Sequence, residues 1–210
     1  MSIANQLESN FSAQRSWSLR RQLGIPNNKK LWVCACMDER LPVDEALGIH
    51  SDDGDAHVFR NAGGLITDDA IRSAMLTCQF FGTEEIVVLN HTECGMMSST
   101  GEELVAILEE RGIGLDGAGI DPTLPELELP AGALARWIRT FDDVDEICRQ
   151  QVAHLRNHPL IPSHVKISGW VWEVENRRLR PAGERLSQRV NTKEEMGTTH
   201  VGHHETLGAA

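Results

Sequence analysis

Two stretches of the chain are apolar almost throughout, Leu31-Trp32-Val33-Cys34-Ala35-Cys36 and Ile86-Val87-Val88-Leu89, the second entered from Glu85 and followed by Asn90. Runs of this length and evenness predict strands covered on both faces, as in a parallel sheet. A shorter apolar strand is expected through His57-Val58-Phe59-Arg60, followed by a tight loop at Asn61-Ala62-Gly63-Gly64. Elsewhere the apolar positions recur at helical spacing. Ile71, Met75, Leu76 and Phe80 predict a helix with Thr67 as N-cap, Asp68 and Asp69 in its first turn and Gly82 at its end. Pro42 opens a short helix, and Thr100-Gly101-Glu102-Glu103 has capping-box spacing and starts another that runs to about Glu110. Helical stretches follow through Trp137 and Ile138 and through Val144, Ile147 and Val152, until His158-Pro159 breaks the pattern.

The ends of the chain read differently. Residues 4–23 are polar with a helical rhythm at Leu7, Phe11, Trp17 and Leu19, and the turn signal Gly24-Ile25-Pro26-Asn27-Asn28 closes them, so 1–30 is expected to be a helical arm that docks elsewhere. Residues 111–130, rich in Gly, Pro, Asp and Leu, predict a long connection, a surface excursion or part of a subunit contact. Strict alternation from Val165 to Val174 predicts an outer strand, with Arg177-Arg178-Leu179-Arg180 as a hairpin return. The polar residues 187–210 predict a mobile tail. The whole pattern predicts one α/β domain over 1–210: a mostly parallel central sheet flanked by helices, with an N-terminal helical arm and a C-terminal outer strand.

Composition narrows the function more than the fold. The 210 residues are 40% apolar, enough for a single core. A net charge of -11 and a pI of about 5.2 argue against a nucleic-acid partner and against an anionic membrane surface. The N-terminus carries Glu8 and lacks a continuous apolar stretch, so neither a secretory signal nor a membrane span is expected, and the expected location is the cytoplasm. Five cysteines, an odd number, then predict reduced thiols rather than a disulfide framework. Cys78 and Cys148 fall in helical patterns and are expected to be buried thiols.

The remaining chemistry is concentrated in two short clusters, Cys36-Met37-Asp38-Glu39-Arg40 and His91-Thr92-Glu93-Cys94. Thiolates and an imidazole are the donors of zinc, and a carboxylate and a guanidinium beside them suit acid/base work. No Cys-x-x-Cys pair is present to close the shell, which leaves water or hydroxide as the natural fourth occupant. Cys36 and His91 both stand at the carboxyl ends of predicted strands, where open α/β sheets build their ligand crevices. Cys34, two residues earlier on the same predicted face, is a rival ligand; its deeper place among apolar neighbours favours Cys36.

Cys-x-Asp-x-Arg at a strand end followed by His-x-x-Cys resembles the β-class carbonic anhydrase superfamily, and Phe59-Arg60-Asn61-Ala62-Gly63-Gly64 is similar to a loop of that family. The resemblance covers about residues 15–180. A narrower resemblance, to the carbon disulfide hydrolase branch, lies in Gly24–Asn28, Leu31-Trp32-Val33, Cys36–Arg40, Thr67–Ser73, Phe80-Phe81-Gly82-Thr83 and Asn157–Pro162. What it implies is one Zn2+ per subunit held by Cys36, His91 and Cys94, with Asp38 accepting a hydrogen bond from the metal-bound hydroxide and Arg40 holding Asp38. A closed state, with Asp38 itself on the metal, is the alternative known in the superfamily.

The implied reaction is attack on the central carbon of carbon disulfide, yielding carbonyl sulfide and then carbon dioxide with two hydrogen sulfide. Carbonic anhydrase or carbonyl sulfide hydrolase activity is the enzymatic alternative, and a non-catalytic zinc protein the outsider. A homodimer, with higher assemblies common, is implied as well. An apolar entrance would favour carbon disulfide over a hydrated anion. Phe80 and Phe81 are its candidate lining, though core packing explains them equally well; the Gly63-Gly64 pair serves a turn alone or close backbone approach to a ligand, with Gly63 a candidate of the substrate pocket. His50, His57 and His158 read as structural, and His200, His203 and His204 as part of the tail.

Overall fold

The computed structural model describes residues 20–113, 119–121 and 123–184. The expected arm therefore lies outside the described residues for 1–19, as does the tail 187–210 with its three histidines. Among the described residues no helix is long and apolar enough to cross a membrane.

Five strands form the central sheet in the order β2-β1-β3-β6-β7: β1 (Leu31–Cys36), β2 (Ala56–Asn61), β3 (Glu85–His91), β6 (Lys166–Glu173) and β7 (Arg178–Pro181). β1 pairs in parallel with β2 and β3, β3 pairs in parallel with β6, and only β7 runs antiparallel. The continuous apolar runs are the two central strands: every residue of β1 is buried, and so is every residue of β3 after Glu85.

Among the described residues these helices accompany the sheet: α1 (Val43–Leu47), α2 (Asp68–Phe80), α3 (Gly101–Glu110), α4 (Leu134–Ile138) and α5 (Val144–Asn157). One core cluster holds Trp32, Cys34, Ile86 and Val88 against Ala70 and Ala74 of α2 and Cys148, Val152 and Leu155 of α5. The other holds Val33, Ala35, Val87 and Leu89 with Leu41, Val43 and Ile49. Burying each such aliphatic side chain contributes about 1.5–3 kcal/mol, and the two clusters clamp the central strands between layers. The capping box of α3 forms as its spacing predicts, Glu103 N–H donating to Thr100 Oγ1 at 3.2 Å and Thr100 N–H to Glu103 Oε2 at 2.8 Å. Asp143 caps α5 by accepting the N–H groups of Asp145 and Glu146.

Three expectations are corrected. The buried stripe of α2 is Ala70, Ala74, Thr77 and Cys78, small residues that let the helix lie close on the sheet; Phe80, counted on the apolar face, is 69% exposed. Residues 111–130 are not only a connection: Gly119–Asp121 (β4) and Leu124–Glu128 (β5) pair as an antiparallel ribbon. The alternating segment 165–174 is flanked on both sides as β6, and its hairpin return β7 takes the outer position.

β7 is fixed by a buried ion triad. Arg180 donates to both oxygens of Asp145 on α5, at 2.6 and 3.0 Å, and through Nε to Glu173 of β6 at 2.7 Å, with all three side chains at most 8% exposed. Gly183 N–H adds a further bond to Asp145 Oδ1 at 2.6 Å. Removing one member of such a group leaves a desolvated charge short of partners. Asp145→Ala is expected to lower the unfolding free energy by about 3 kcal/mol or more in chemical denaturation; a loss under about 1 kcal/mol would mean that the triad is not structural.

Candidate metal centre

Cys36 is the last residue of β1 and His91 the last of β3, so two parallel neighbours deliver them to the same sheet edge. Cys94 follows in the turn leaving β3. The ligand atoms of Cys36, His91 and Cys94 lie within 4.8 Å of one another, all three residues being buried. The two sulfurs stand 3.8 Å apart, the separation that two ~2.3 Å bonds to a tetrahedral zinc would give. His91 donates its Nδ1–H to the Thr92 carbonyl at 2.8 Å, an oxygen that can only accept, so the ring's Nε2 carries the lone pair. That Nε2 is buried without a hydrogen-bond partner. An orphaned buried nitrogen costs about 1–3 kcal/mol, and a metal ion is the partner that this donor set fits. The two thiols share their protons unequally. Cys36 is drawn below its ordinary value by the Cys94 S–H and by His91, and the same contact pushes Cys94 upward.

Beside the three donors stands a carboxylate held by an arginine. Arg40 donates from Nε to Asp38 Oδ1 at 3.0 Å, from a terminal nitrogen to Oδ2 at 2.8 Å, and from its backbone N–H to Oδ1 at 2.9 Å. These bonds hold the Asp38 carboxyl well below the usual range, at about 2. Asp38 Oδ2 lies 3.8 Å from His91 Nε2. The carboxylate is therefore adjacent to the donor triad and engaged by Arg40.

Two further residues hold these parts together. Arg40 also donates to the Glu93 carbonyl at 2.9 Å and to its carboxylate at 3.2 Å, joining the two sequence clusters; Glu93 adopts φ +55 to present both oxygens. Arg60 of β2 donates to the carbonyls of Cys36, Asp38 and Leu41 at 2.9, 2.7 and 3.2 Å, fixing the loop that carries the dyad. The sequence reading singled out neither. Glu93 stood inside the second cluster, but its role depends on an unusual backbone angle. Arg60 stood inside the family-like loop, and its partners are backbone carbonyls, which leave no trace in a pattern of side chains.

The other expected site residues are placed elsewhere. Cys34 joins the opposite core cluster from Cys36, and burial pushes its thiol far up, so it is no rival ligand. Phe80 and Phe81 are not brought to the centre within the chain. They end α2 beside Thr83 and Glu84, at the amino edge of the sheet, about 20 Å along the strands at ~3.3 Å per residue. Phe80 is exposed, and Phe81 packs edge-on against His57. Gly63 is buried with φ +78, and a Cβ there would meet Met96, Leu65 and Phe141 at 3.1–3.2 Å, so it serves close packing. The more constrained glycine of the pair is Gly64: a Cβ would stand 2.7 Å from the Cys36 backbone nitrogen and 3.1 Å from the Leu89 carbonyl. His57, bonded to Thr77 Oγ1 and the Ile25 carbonyl, and His158, which ends α5, are structural as expected.

The carbonic anhydrase family model matches residues 31–179. A carbon disulfide hydrolase of Acidithiobacillus thiooxidans is 64% identical over 197 residues, covering 94% of this chain and 99% of that protein. Beta-carbonic anhydrase 1 of Mycobacterium tuberculosis is 35% identical over 158 residues, covering 75% of this chain and 84% of the relative. Among solved structures, the apo form of a carbon disulfide hydrolase superposes with a TM-score of 0.76 at 43% identity, covering 94% of this chain and 100% of the other.

Gly64→Ala tests how closely the loop must approach the ligand strand. It is expected to displace Cys36 and lower the zinc content of purified protein several-fold by metal analysis; full zinc occupancy would show that the contact is dispensable.

Proposed function

The chain belongs to the β-class of the carbonic anhydrase family, in the branch of the carbon disulfide hydrolases, and from that premise we propose that it hydrolyses carbon disulfide at a zinc centre. The observation that carries the reading is the convergence of Cys36, His91 and Cys94 around an unpartnered His91 Nε2, with an arginine-held carboxylate alongside. One zinc ion per subunit, held by those three residues, would acidify a water molecule toward neutrality and so supply the nucleophile that an unactivated carbon requires.

The chain's own residues would govern the rest. Asp38, ionised down to about pH 2, is too strong an acid to store a proton near neutrality. It therefore acts as a hydrogen-bond acceptor that orients the attacking water, with its lone pair turned toward the substrate carbon. Arg40 keeps that acceptor charged and in place, and its grip on Glu93 ties the acceptor to the turn that carries Cys94. The reaction runs in two rounds. Carbon disulfide and water give carbonyl sulfide and hydrogen sulfide; carbonyl sulfide and a second water give carbon dioxide and a second hydrogen sulfide.

Preference for carbon disulfide is supported by 64% identity to a hydrolase of that name over nearly the whole length of both chains. The free state of all five cysteines supports a reducing, cytoplasmic setting. A homodimer is the proposed unit. A cavity of about 770 Å³ has Phe59, Leu65, Met96, Trp137 and Ile138 in its lining together with charged residues such as Asp68 and Arg139, and Trp137 is 54% exposed, as a subunit contact would require. Carbon dioxide hydration is the second reading, favoured by the family model itself.

Sulfide release from carbon disulfide, measured beside carbon dioxide hydration on the zinc-loaded protein, separates these readings. Sulfide release that a chelator abolishes and zinc restores is expected. Rapid hydration without sulfide would favour the second reading, and inactivity at full zinc occupancy would leave a non-catalytic zinc protein. Asp38→Ala should keep its zinc and lose turnover by about a hundredfold, the scale of a misoriented reactant; unchanged turnover would remove Asp38 from the chemistry.

A further inference from the structure

Thr92, between the metal ligand candidate His91 and the strained Glu93, has every polar atom committed. Its N–H donates to the Trp172 carbonyl at 3.0 Å, its carbonyl accepts His91 Nδ1–H at 2.8 Å, and its hydroxyl oxygen accepts the Val174 N–H at 3.0 Å. The hydroxyl in turn donates to Glu175 Oε2 at 2.5 Å. Glu175 stands in the exposed turn between β6 and β7, far from the centre in sequence. That turn is itself braced: Asn176 donates to Glu173 Oε2 at 3.1 Å, and Glu173 belongs to the buried triad with Arg180 and Asp145.

We infer that the Thr92 hydroxyl and the Glu175 carboxylate form a positioning link that fixes the His91 ring toward its metal and slows the metal's escape. The inference rests on the reading of the centre as a zinc site. An imidazole ligand keeps its direction through the acceptor bound to its second nitrogen. Here that acceptor is a peptide carbonyl in a turn whose next residue is left-handed, so its direction depends on what holds the Thr92 peptide. On the side of β6 and β7, that hold is the Thr92 N–H bond to Trp172 together with the two bonds of the hydroxyl. The short, charge-assisted bond to Glu175 is the outermost joint of a chain running from α5 through Arg180 and the hairpin to His91. An ordinary turn bond would stabilise the fold with or without metal; a positioning link acts on the metal.

The test uses the full chain loaded with zinc and read by the rate of zinc transfer to a chromophoric chelator at neutral pH, beside melting temperatures of the zinc-free and zinc-loaded forms. Removal of an outer partner of a ligating histidine costs about 10–100-fold in metal affinity, and this link stands one bond further out. Thr92→Val, which keeps the branched shape, and Glu175→Ala are each expected to release zinc about fivefold faster, while Glu175→Gln, which keeps an acceptor, stays within about twofold of the parent. The zinc-loaded melting temperature should fall more than the zinc-free one. Release within twofold in both Thr92→Val and Glu175→Ala, or equal losses of melting temperature with and without zinc at an unchanged rate, would overturn the inference. A parent chain that takes up no zinc would overturn it together with the proposed centre. No substrate enters the measurement, so a chain that fails to hydrolyse carbon disulfide yet shows the predicted release rates would overturn the activity alone.

Discussion

Parallel pairing of β1 with β3 is the constraint on which the centre depends. Parallel neighbours end at the same edge, so Cys36 and His91 arrive side by side although some fifty residues separate them. The pairing is secured on both faces by the two core clusters, and no side chain of either strand after Glu85 or from Leu31 onward is left in water. The ligand positions thus inherit the rigidity of the most deeply buried part of the chain. Only Cys94 is carried by a turn, and it follows His91 closely enough to share that rigidity.

Around this edge a set of cations and carbonyls fixes what the strands leave loose. Arg60 holds the loop after Cys36 from the β2 side, Gly64 lets the next loop press against the Cys36 backbone, and Arg40 bridges the two clusters through Asp38 and Glu93. Asn90 adds a bond from β3 to the Gly63 carbonyl at 2.7 Å. The result is a carboxylate and three donors whose positions are settled before substrate arrives. Preorganisation of this kind is where a small, apolar, uncharged substrate leaves catalysis to be done, since it offers the protein little to bind.

Much of this was legible in the sequence, and the parts that were not share a cause. Side-chain chemistry at strand ends is visible as residue type and spacing, which is why Cys36, Asp38, Arg40, His91 and Cys94 could be named together. The two central strands were legible from their apolar runs, and α3 from its capping box. What escaped depends on backbone: the φ of Glu93, the carbonyl partners of Arg60, and that Gly64 presses on the Cys36 backbone rather than on a ligand. The apolar face of α2 was misjudged because size was taken for burial, whereas close helix–sheet contact selects Ala70 and Ala74 and turns Phe80 outward. The alternation in β6 suggested an edge; its polar side chains are instead absorbed by pairs such as Glu173 with Arg180.

The claim that carries most weight is that Cys36, His91 and Cys94, and no other cysteine, would hold the metal. X-ray absorption at the zinc edge of the loaded protein at neutral pH measures that shell directly. Two sulfur neighbours at about 2.3 Å with two nitrogen or oxygen neighbours at about 2.0–2.1 Å are the expected result. Three or more sulfurs, which would bring in Cys34, or a shell of oxygen and nitrogen alone, would contradict it.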